Sequence, residues 1–246
     1  MEILKTFNTH SNSIRSDYFT KQFNKKKVLV LGSGPSARDR NWQNLNFDCI
    51  VTCNFFYKND EVRSLKNIKH ISLGDMVDLN DNRLNSFLDN NEECTISFEP
   101  KSHPFYTSEA YRTFNTKYKE RIVFYVVNPI TNNMEGTAGR AIYFTVCWQP
   151  SEIYYVGIDG KSPSGNDKIN FFDTTLVGDR DGYEISRFRK SHLEMANLLH
   201  KFNTEYGIKF YNLGEGLEYN MSSEVSEKLF PLSDKIKRSI SREKYL

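Results

Sequence analysis

The sequence lacks the features of membrane-spanning and disulfide-stabilised proteins. No apolar run approaches the roughly 18 residues that a membrane-spanning helix needs, and residues 1–17 contain no apolar signal-peptide core. Cysteine is scarce, and no two cysteines form a CxxC pair, so neither a disulfide framework nor a zinc site is predicted. Buried free thiols in a reducing cytoplasm are expected instead, at Cys49, Cys53, Cys94 and Cys147.

The sequence also lacks an excess of charge of one sign. Its 33 basic and 31 acidic residues leave a net charge of +2, which gives no case for a nucleic-acid partner. Basic residues do cluster in the tail, 232–246. This tail is either a solvated segment or an amphipathic basic helix that makes weak peripheral contact with an anionic membrane.

Seven apolar runs, several of them separated by segments with helical character, are present. The first contains four consecutive apolar residues, Val28 to Leu31, which indicates a strand covered on both faces. Strands alternating with helices predict an α/β fold with a mostly parallel sheet sandwiched by helices. The runs are 26–34, 47–57, 68–75, 93–100, 121–129, 152–160 and 207–216, and the predicted helices are 80–90, 107–119, 137–148 and 191–206.

A glycine turn follows the first predicted strand and consists of Gly32, Ser33, Gly34, Pro35 and Ser36. In open α/β sheets, ligands bind beyond the carboxyl ends of the strands. Glycines there allow a sharp turn with N–H groups facing outward, which suits a phosphate. The third glycine of a dinucleotide fingerprint is absent, and no GK[ST] follows, so a P-loop is excluded. Nucleotide binding and a plain strand-to-helix turn both remain open.

Three further groups are predicted at the same edge of the sheet. Asn54 is predicted at the C-terminal end of the second strand and can donate and accept at once, as contact with a base or ribose requires. Thr137, Ala138 and Gly139 open an apolar helix whose free N–H groups would face an anion. Asp159 is predicted to end the sixth strand, where it would bind a ribose hydroxyl or hold the following loop. A structural role is the alternative for each group.

His192 is the candidate general base. It is predicted at the first position of a helix, where the helix dipole disfavours the protonated imidazole and favours the neutral form that a base requires. A surface histidine is the alternative. Lys161 and Lys168 would offset the charge of a phosphate, whereas His70 and His103 have no evident partner.

Taken in order, these stretches resemble the bacterial CMP-sialic-acid sialyltransferases and a wider group that includes Maf-type and pterin-diphosphokinase-like proteins. The similarity runs from about residue 26 to about residue 213, and its individual motifs are short. They are V-L-V-L-G-S-G-P-S, D-C-I-V-T-C-N-F-F-Y, T-A-G before a helix, E-I-Y-Y-V-G-I-D, and Y-G-I-K-F-Y-N-L.

The resemblance implies a Rossmann-type, GT-A-like fold with a lid over the donor, within 160–190. It implies a metal-independent, inverting transfer of a sialic-acid-like sugar from a CMP-linked donor to a glycan hydroxyl. The glycine turn, Asn54 and residues 137–139 would contact the donor, and a histidine just before the last major helix would act as base. No cofactor is implied beyond the nucleotide-sugar.

The sequence departs from the family pattern in three places. Glu135 and Ala138 stand where the family has an arginine and the serine of Thr-Ser-Gly. Lys161 and Asp167 fall near the positions where the family has phosphate-binding lid tyrosines, and Tyr183 is the nearest substitute. The base of the family aligns a residue or two upstream of His192. These departures leave the donor sugar open more than the fold.

Two alternatives to a sialyltransferase-like enzyme follow from the same residues. One is a Mg-dependent phosphoryl or diphosphoryl transferase, in which Asp179 and Asp181 would hold the metal. The other is a non-catalytic nucleotide- or glycan-binding homologue.

The expected organisation is an N-terminal extension over 1–24, a single nucleotide-binding glycosyltransferase-like domain over 25–231, and the tail. The acceptor would be a glycan or lipid-linked glycan of a bacterial surface polysaccharide. The expected location is the cytoplasm, including the inner face of the membrane, with homo-oligomerisation as an option.

Overall fold

The structure is a computed structural model, and it describes most of the sheet and the helices around it. Within the described ranges, no helix is both long and apolar enough to cross a membrane. These ranges are 22–38, 40–74, 77–98, 107–124, 137–158, 172, 199–200 and 202–214.

Seven strands form one sheet in the order β5-β4-β3-β2-β1-β6-β7, and every described pairing is parallel. Each strand lies within one of the seven apolar runs, so the predicted strands and the α/β class are confirmed. The strands are β1 Lys27–Leu31, β2 Cys49–Cys53, β3 Ile68–Leu73, β4 Thr95–Phe98, β5 Ile122–Phe124, β6 Glu152–Val156 and β7 Lys209–Asn212.

The central strand β1 is covered on both faces, as its uninterrupted apolar run predicts. Val28 and Val30 belong to the core on one face, and Leu29 and Leu31 belong to the core on the other. All four side chains are fully buried. Each contributes about 1.5–3 kcal/mol of hydrophobic stabilisation, which fixes β1 in the middle of the sheet.

Helices connect the strands and agree with three of the four predicted helical segments. Two of them begin at side-chain N-caps: Asp81 accepts from the Arg83 N–H, and Ser108 accepts from the Tyr111 N–H. Of the fourth segment, 191–206, the described residues 199–200 and 202–206 are helical. The α-helices are α1 Asp60–Arg63, α2 Asn82–Asn90, α3 Glu109–Tyr118 and α4 Thr137–Cys147, and the 3₁₀ helices are Pro35–Arg38, Arg40–Asn44, Asn54–Lys58 and Lys119–Arg121.

The helices form two layers. Val62 of α1, Leu84 of α2 and Phe114 of α3 pack in the core on one face of the sheet. Ile142 of α4 and Phe202 of the last helical segment pack in the core on the other face. The connection that contains α4 carries the chain from the outermost strand β5 back to β6, which lies beside β1. The strand order therefore reverses between β1 and β6.

Phe23 belongs to the packed core, although it falls in the predicted extension. Its side chain is fully buried and its ring stacks on Trp148 at 4.4 Å between centroids. Residues 1–21 lie outside the described part of the chain, so the extension itself stays a prediction.

His70 has partners that the sequence did not reveal. Its Nδ1 lies 2.9 Å from Oγ1 of Thr95 and its Nε2 lies 2.9 Å from Oγ of Ser97, and Ser72 bonds the same hydroxyl. These hydroxyls come from β3 itself and from the neighbouring strand β4, so only strand pairing brings them to the ring. Burial lowers the pKa of His70 to about 3, and the imidazole is therefore neutral in the folded protein.

Arg121 ties the end of α2 to the sheet. Its guanidinium donates to three main-chain carbonyls, those of Leu88, Asn91 and Cys94, at 2.7–2.8 Å. Leu88 lies in the last turn of α2, where carbonyls lack intrahelical partners, and Asn91 and Cys94 lie between that helix and β4.

Three cysteines, Cys49, Cys53 and Cys94, are free and buried, which confirms the prediction for them. The side chain of Cys147 is outside the described part. Burial raises the pKa of Cys94 to about 12 and that of Cys49 to about 11. Both thiols are therefore protonated near neutral pH and unsuited to metal binding or nucleophilic attack.

Candidate functional site

The carboxyl ends of β1, β2 and β3 lie side by side at one edge of the sheet. Leu31 of β1 pairs with Thr52, and Cys53 of β2 pairs with Ser72, so these strands end nearly level. The order reversal between β1 and β6 lies at the same edge. In parallel α/β sheets this is where ligands bind.

The glycine turn after β1 is bonded to the end of β6. The N–H of Gly32 donates to the carbonyl of Val156, and the N–H of Gly34 donates to the carbonyl of Gly157, both at 2.8 Å. The Gly157 N–H in turn donates to Oγ of Ser36 at 3.1 Å. The expectation that the Gly32 and Gly34 amides face a ligand is therefore wrong, because carbonyls at the end of β6 already accept from them. Contact between a nucleotide-sugar and the glycine turn stays a prediction. The turn consists of Gly32, Ser33, Gly34, Pro35 and Ser36.

Two glycines allow this close approach. A Cβ on Gly32 would lie 2.4 Å from the carbonyl oxygen of Gly157, and a Cβ on Gly157 would lie 2.4 Å from that of Gly32. Gly157 also has a φ of +70° and lies against Ala37. Ala37, which stands at the third fingerprint position, thus packs where the turn after β1 approaches the end of β6.

Asn54 follows β2 with a φ of +49°, a left-handed conformation that asparagine tolerates better than most residues. Its Oδ1 accepts from the N–H of Gly74, which follows β3, at 2.7 Å. A Cβ on Gly74 would lie 2.8 Å from that Oδ1 and 2.9 Å from Oγ1 of Thr137. The structure therefore brings Asn54 and Thr137 together around Gly74. Sequence reasoning missed Gly74, although a glycine near the end of the third apolar run was the available signal.

The N-terminus of α4 lies at the same edge, because Thr137 opens this helix. Thr137 and Gly139 are buried, whereas Ala138 and Arg140 are half-buried. The first N–H groups of a helix and its dipole favour an anion. Arg140 is the only charged residue of α4, and it lies in the first turn, where a cation would add to that preference.

The remaining predicted site residues lie outside the described part of the chain. β6 ends at Val156, so Asp159 comes after the strand and does not end it. The roles predicted for Asp159, Lys161, Lys168, Tyr183 and His192 stay predictions.

Among the described residues, no three histidine, cysteine, aspartate or glutamate side chains lie close enough together to hold a metal ion. Asp179 and Asp181 fall outside these residues, and metal independence stays a prediction.

A cavity of about 500 Å³ opens at the opposite edge of the sheet, near the amino ends of β2 and β3. Trp42, Phe47, Ile50, Leu65 and Asn67 are among the residues that line it. It is separate from the predicted donor edge.

No family model and no curated protein matches the sequence. Solved structures do match. One is the sialyltransferase CstII from Campylobacter jejuni in complex with cytidine-5'-monophosphate, at 17% identity and a TM-score of 0.50, over 84% of this chain and 98% of that one. Another is a single-site alanine variant of the same sialyltransferase with CMP, at 18% identity and a TM-score of 0.50, over 78% of this chain and 83% of that one. The chain therefore has a sialyltransferase-like glycosyltransferase fold, as the sequence resemblance predicts.

Proposed function

We propose that this protein is a glycosyltransferase that moves a sugar from a CMP-activated donor to a glycan hydroxyl. The observation that carries the proposal is the convergence of Asn54, Gly74 and Thr137 at the carboxyl edge of the sheet. This cluster follows β2 and β3, close to the β1–β6 reversal where α/β folds bind nucleotides. Solved structures with the same fold contain CMP.

The proposed chemistry is a single displacement without a metal. The acceptor oxygen attacks the anomeric carbon while the bond from that carbon to the phosphate oxygen breaks, and CMP leaves with the electron pair. One displacement inverts the configuration at the anomeric carbon. His192 takes the proton of the acceptor hydroxyl as general base.

The leaving phosphate needs compensation for its charge. The N-terminus of α4 provides N–H groups and the positive end of the helix dipole at the proposed site. Lys161, Lys168 and Tyr183 are proposed to add direct contacts to the phosphate. The glycine turn, Ala138, Gly139 and Asp159 are proposed to border the nucleotide and its sugar.

The acceptor is proposed to be a glycan or lipid-linked glycan. The basic residues of the tail would favour an anionic membrane surface, where lipid-linked acceptors lie. Vesicle binding of the full chain and of a chain that ends at residue 231 tests this point, and equal binding would refute it.

A thermal-shift screen tests the donor class. The full chain is heated with CMP, CDP, UDP, GDP, ADP or ATP, each with Mg²⁺ or with EDTA. A ligand at 100 times its Kd stabilises the native state by about 2.7 kcal/mol, which raises the Tm of a domain this size by roughly 5–10 °C. We expect this shift with CMP or CDP in EDTA.

Two other results would contradict the proposal. Stabilisation by ATP only with Mg²⁺ would indicate phosphoryl transfer. If no nucleotide shifts the Tm, the glycine turn has a purely structural role. For the base, His192→Ala should abolish CMP release from a CMP-sugar while retaining CMP binding. His103→Ala is the matched control and should retain both.

A further inference from the structure

We propose that Gly74 positions the Asn54 side chain so that it offers a ligand only N–H donors, and that these donors bind a phosphate oxygen of the nucleotide. The inference rests on the proposed function for its ligand, and on the geometry of β2, β3 and α4 for the rest.

The orientation of the Asn54 amide follows from its partner. A main-chain N–H can only donate, so the atom 2.7 Å from the Gly74 nitrogen is the amide oxygen of Asn54. The Nδ2 group therefore points away from Gly74. Among the described residues, the Asn54 side chain makes no other hydrogen bond, and we propose the two N–H groups of Nδ2 as the donors to the ligand.

A side chain at position 74 would displace the neighbouring side-chain oxygens. A Cβ there would lie 2.8 Å from Oδ1 of Asn54 and 2.9 Å from Oγ1 of Thr137, closer than real Cβ contacts. Any side chain at this position would push both oxygens away. Gly74 is thus a positioning residue, because its N–H holds Asn54 and its lack of a side chain lets Asn54 and Thr137 approach.

The available donors determine which ligand group fits. The carbonyl oxygen of Asn54 already accepts a hydrogen bond, so a ligand amino group, such as that of cytosine, gains little from this side chain. An oxygen acceptor gains two donors, and an anionic oxygen also gains the dipole of α4, which begins at Thr137. A phosphate oxygen fits this environment best.

Asn54→Asp separates the two halves of the amide. The carboxylate keeps an acceptor for the Gly74 N–H and tolerates the positive φ, but it replaces the two donors with a negative oxygen. Asn59→Asp is the matched control, because Oδ1 of Asn59 also accepts from main-chain N–H groups, those of Glu61 and Val62, at the start of α1.

Calorimetric titration with CMP and with cytidine tests the ligand half. A charge-assisted hydrogen bond contributes about 1.5–3 kcal/mol, so Asn54→Asp should weaken CMP binding at least ~10-fold. Cytidine has no phosphate, so its binding should change by less than about threefold. Asn59→Asp should bind both like the wild type. Unchanged CMP binding in Asn54→Asp, or an equal loss of cytidine, would overturn the inference while the proposed function stands.

Thermal unfolding tests the positioning half without any ligand. Asn54→Ala and Gly74→Ala should each lower the Tm, and the double variant should lose less than the sum of the two single losses, because both variants disturb one shared contact. Asn54→Asp should keep the wild-type Tm. Additive losses would overturn the positioning role. Wild-type protein that binds no CMP would overturn the proposed function together with the ligand half, whatever the unfolding data show.

Discussion

Lowering the pH should destabilise the protein through His70, and the loss should begin above the range in which carboxylates titrate. The folded state holds this imidazole fully buried and neutral, with its pKa lowered to about 3. In the unfolded chain the histidine has a pKa of about 6.5 and takes up a proton below that value. The stability from the neutral His70 is therefore complete above pH 6.5 and is lost progressively as the pH falls towards 3.

The size of the effect follows from the two pKa values. Within this window, each pH unit costs about 1.4 kcal/mol for one proton taken up by the unfolded state. Between pH 7.5 and pH 5.0, His70 should account for a loss of about 2 kcal/mol. This is a large part of the roughly 5–15 kcal/mol that stabilises a typical domain.

Urea unfolding of the wild type and of His70→Gln at pH 7.5, 6.5, 5.5 and 5.0 measures the difference. The variant does not titrate at this position, so its stability should fall by about 2 kcal/mol less across the series. The lower limit of pH 5.0 avoids Asp81 and Glu93, whose pKa values are lowered by Arg83 and Lys69. Equal pH slopes would refute the buried, neutral imidazole.

Two other pairs of variants test the packing that shapes the site. Gly157 and Gly207 have nearly the same φ, +70° and +69°, but nothing lies within 4 Å of a Cβ on Gly207. Gly207→Ala should therefore cost only the backbone strain of about 1–2 kcal/mol, and Gly157→Ala should cost about 1–3 kcal/mol more because of the clash with the main chain of Gly32. Equal losses in urea unfolding would contradict the close approach of the two loops. Arg121→Met removes the three hydrogen bonds at the end of α2 and should cost about 2–3 kcal/mol. Arg112→Met removes one exposed bond to a carbonyl and should change stability by less than about 0.5 kcal/mol; a loss equal to that of Arg121→Met would contradict the capping role.

The central strands were predictable from the sequence because helices cover the sheet there on both faces. In β1 every residue from Val28 to Leu31 is buried, so the strand appears as an uninterrupted apolar run. The helices α2, α3 and α4 also had local signals, namely caps and an apolar stretch. Such features depend on neighbours in the chain, which a sequence displays directly.

The features that were not predicted depend on contacts between distant segments. His70 meets Thr95 and Ser97 only through the pairing of β3 with β4. The Gly32 and Gly34 amides bond residues more than a hundred positions away, which no local pattern indicates. The role of Gly74 also depends on distant segments, because it requires Asn54 after β2 and Thr137 at the start of α4 to lie beside the end of β3.

Hydrogen exchange of the full chain with and without saturating CMP, in EDTA, tests the location of the nucleotide most directly. The account predicts protection in peptides that contain the glycine turn, Asn54, Gly74 and residues 137–141. Protection confined to the cavity lined by Trp42, Phe47 and Leu65, at the opposite edge of the sheet, would contradict it.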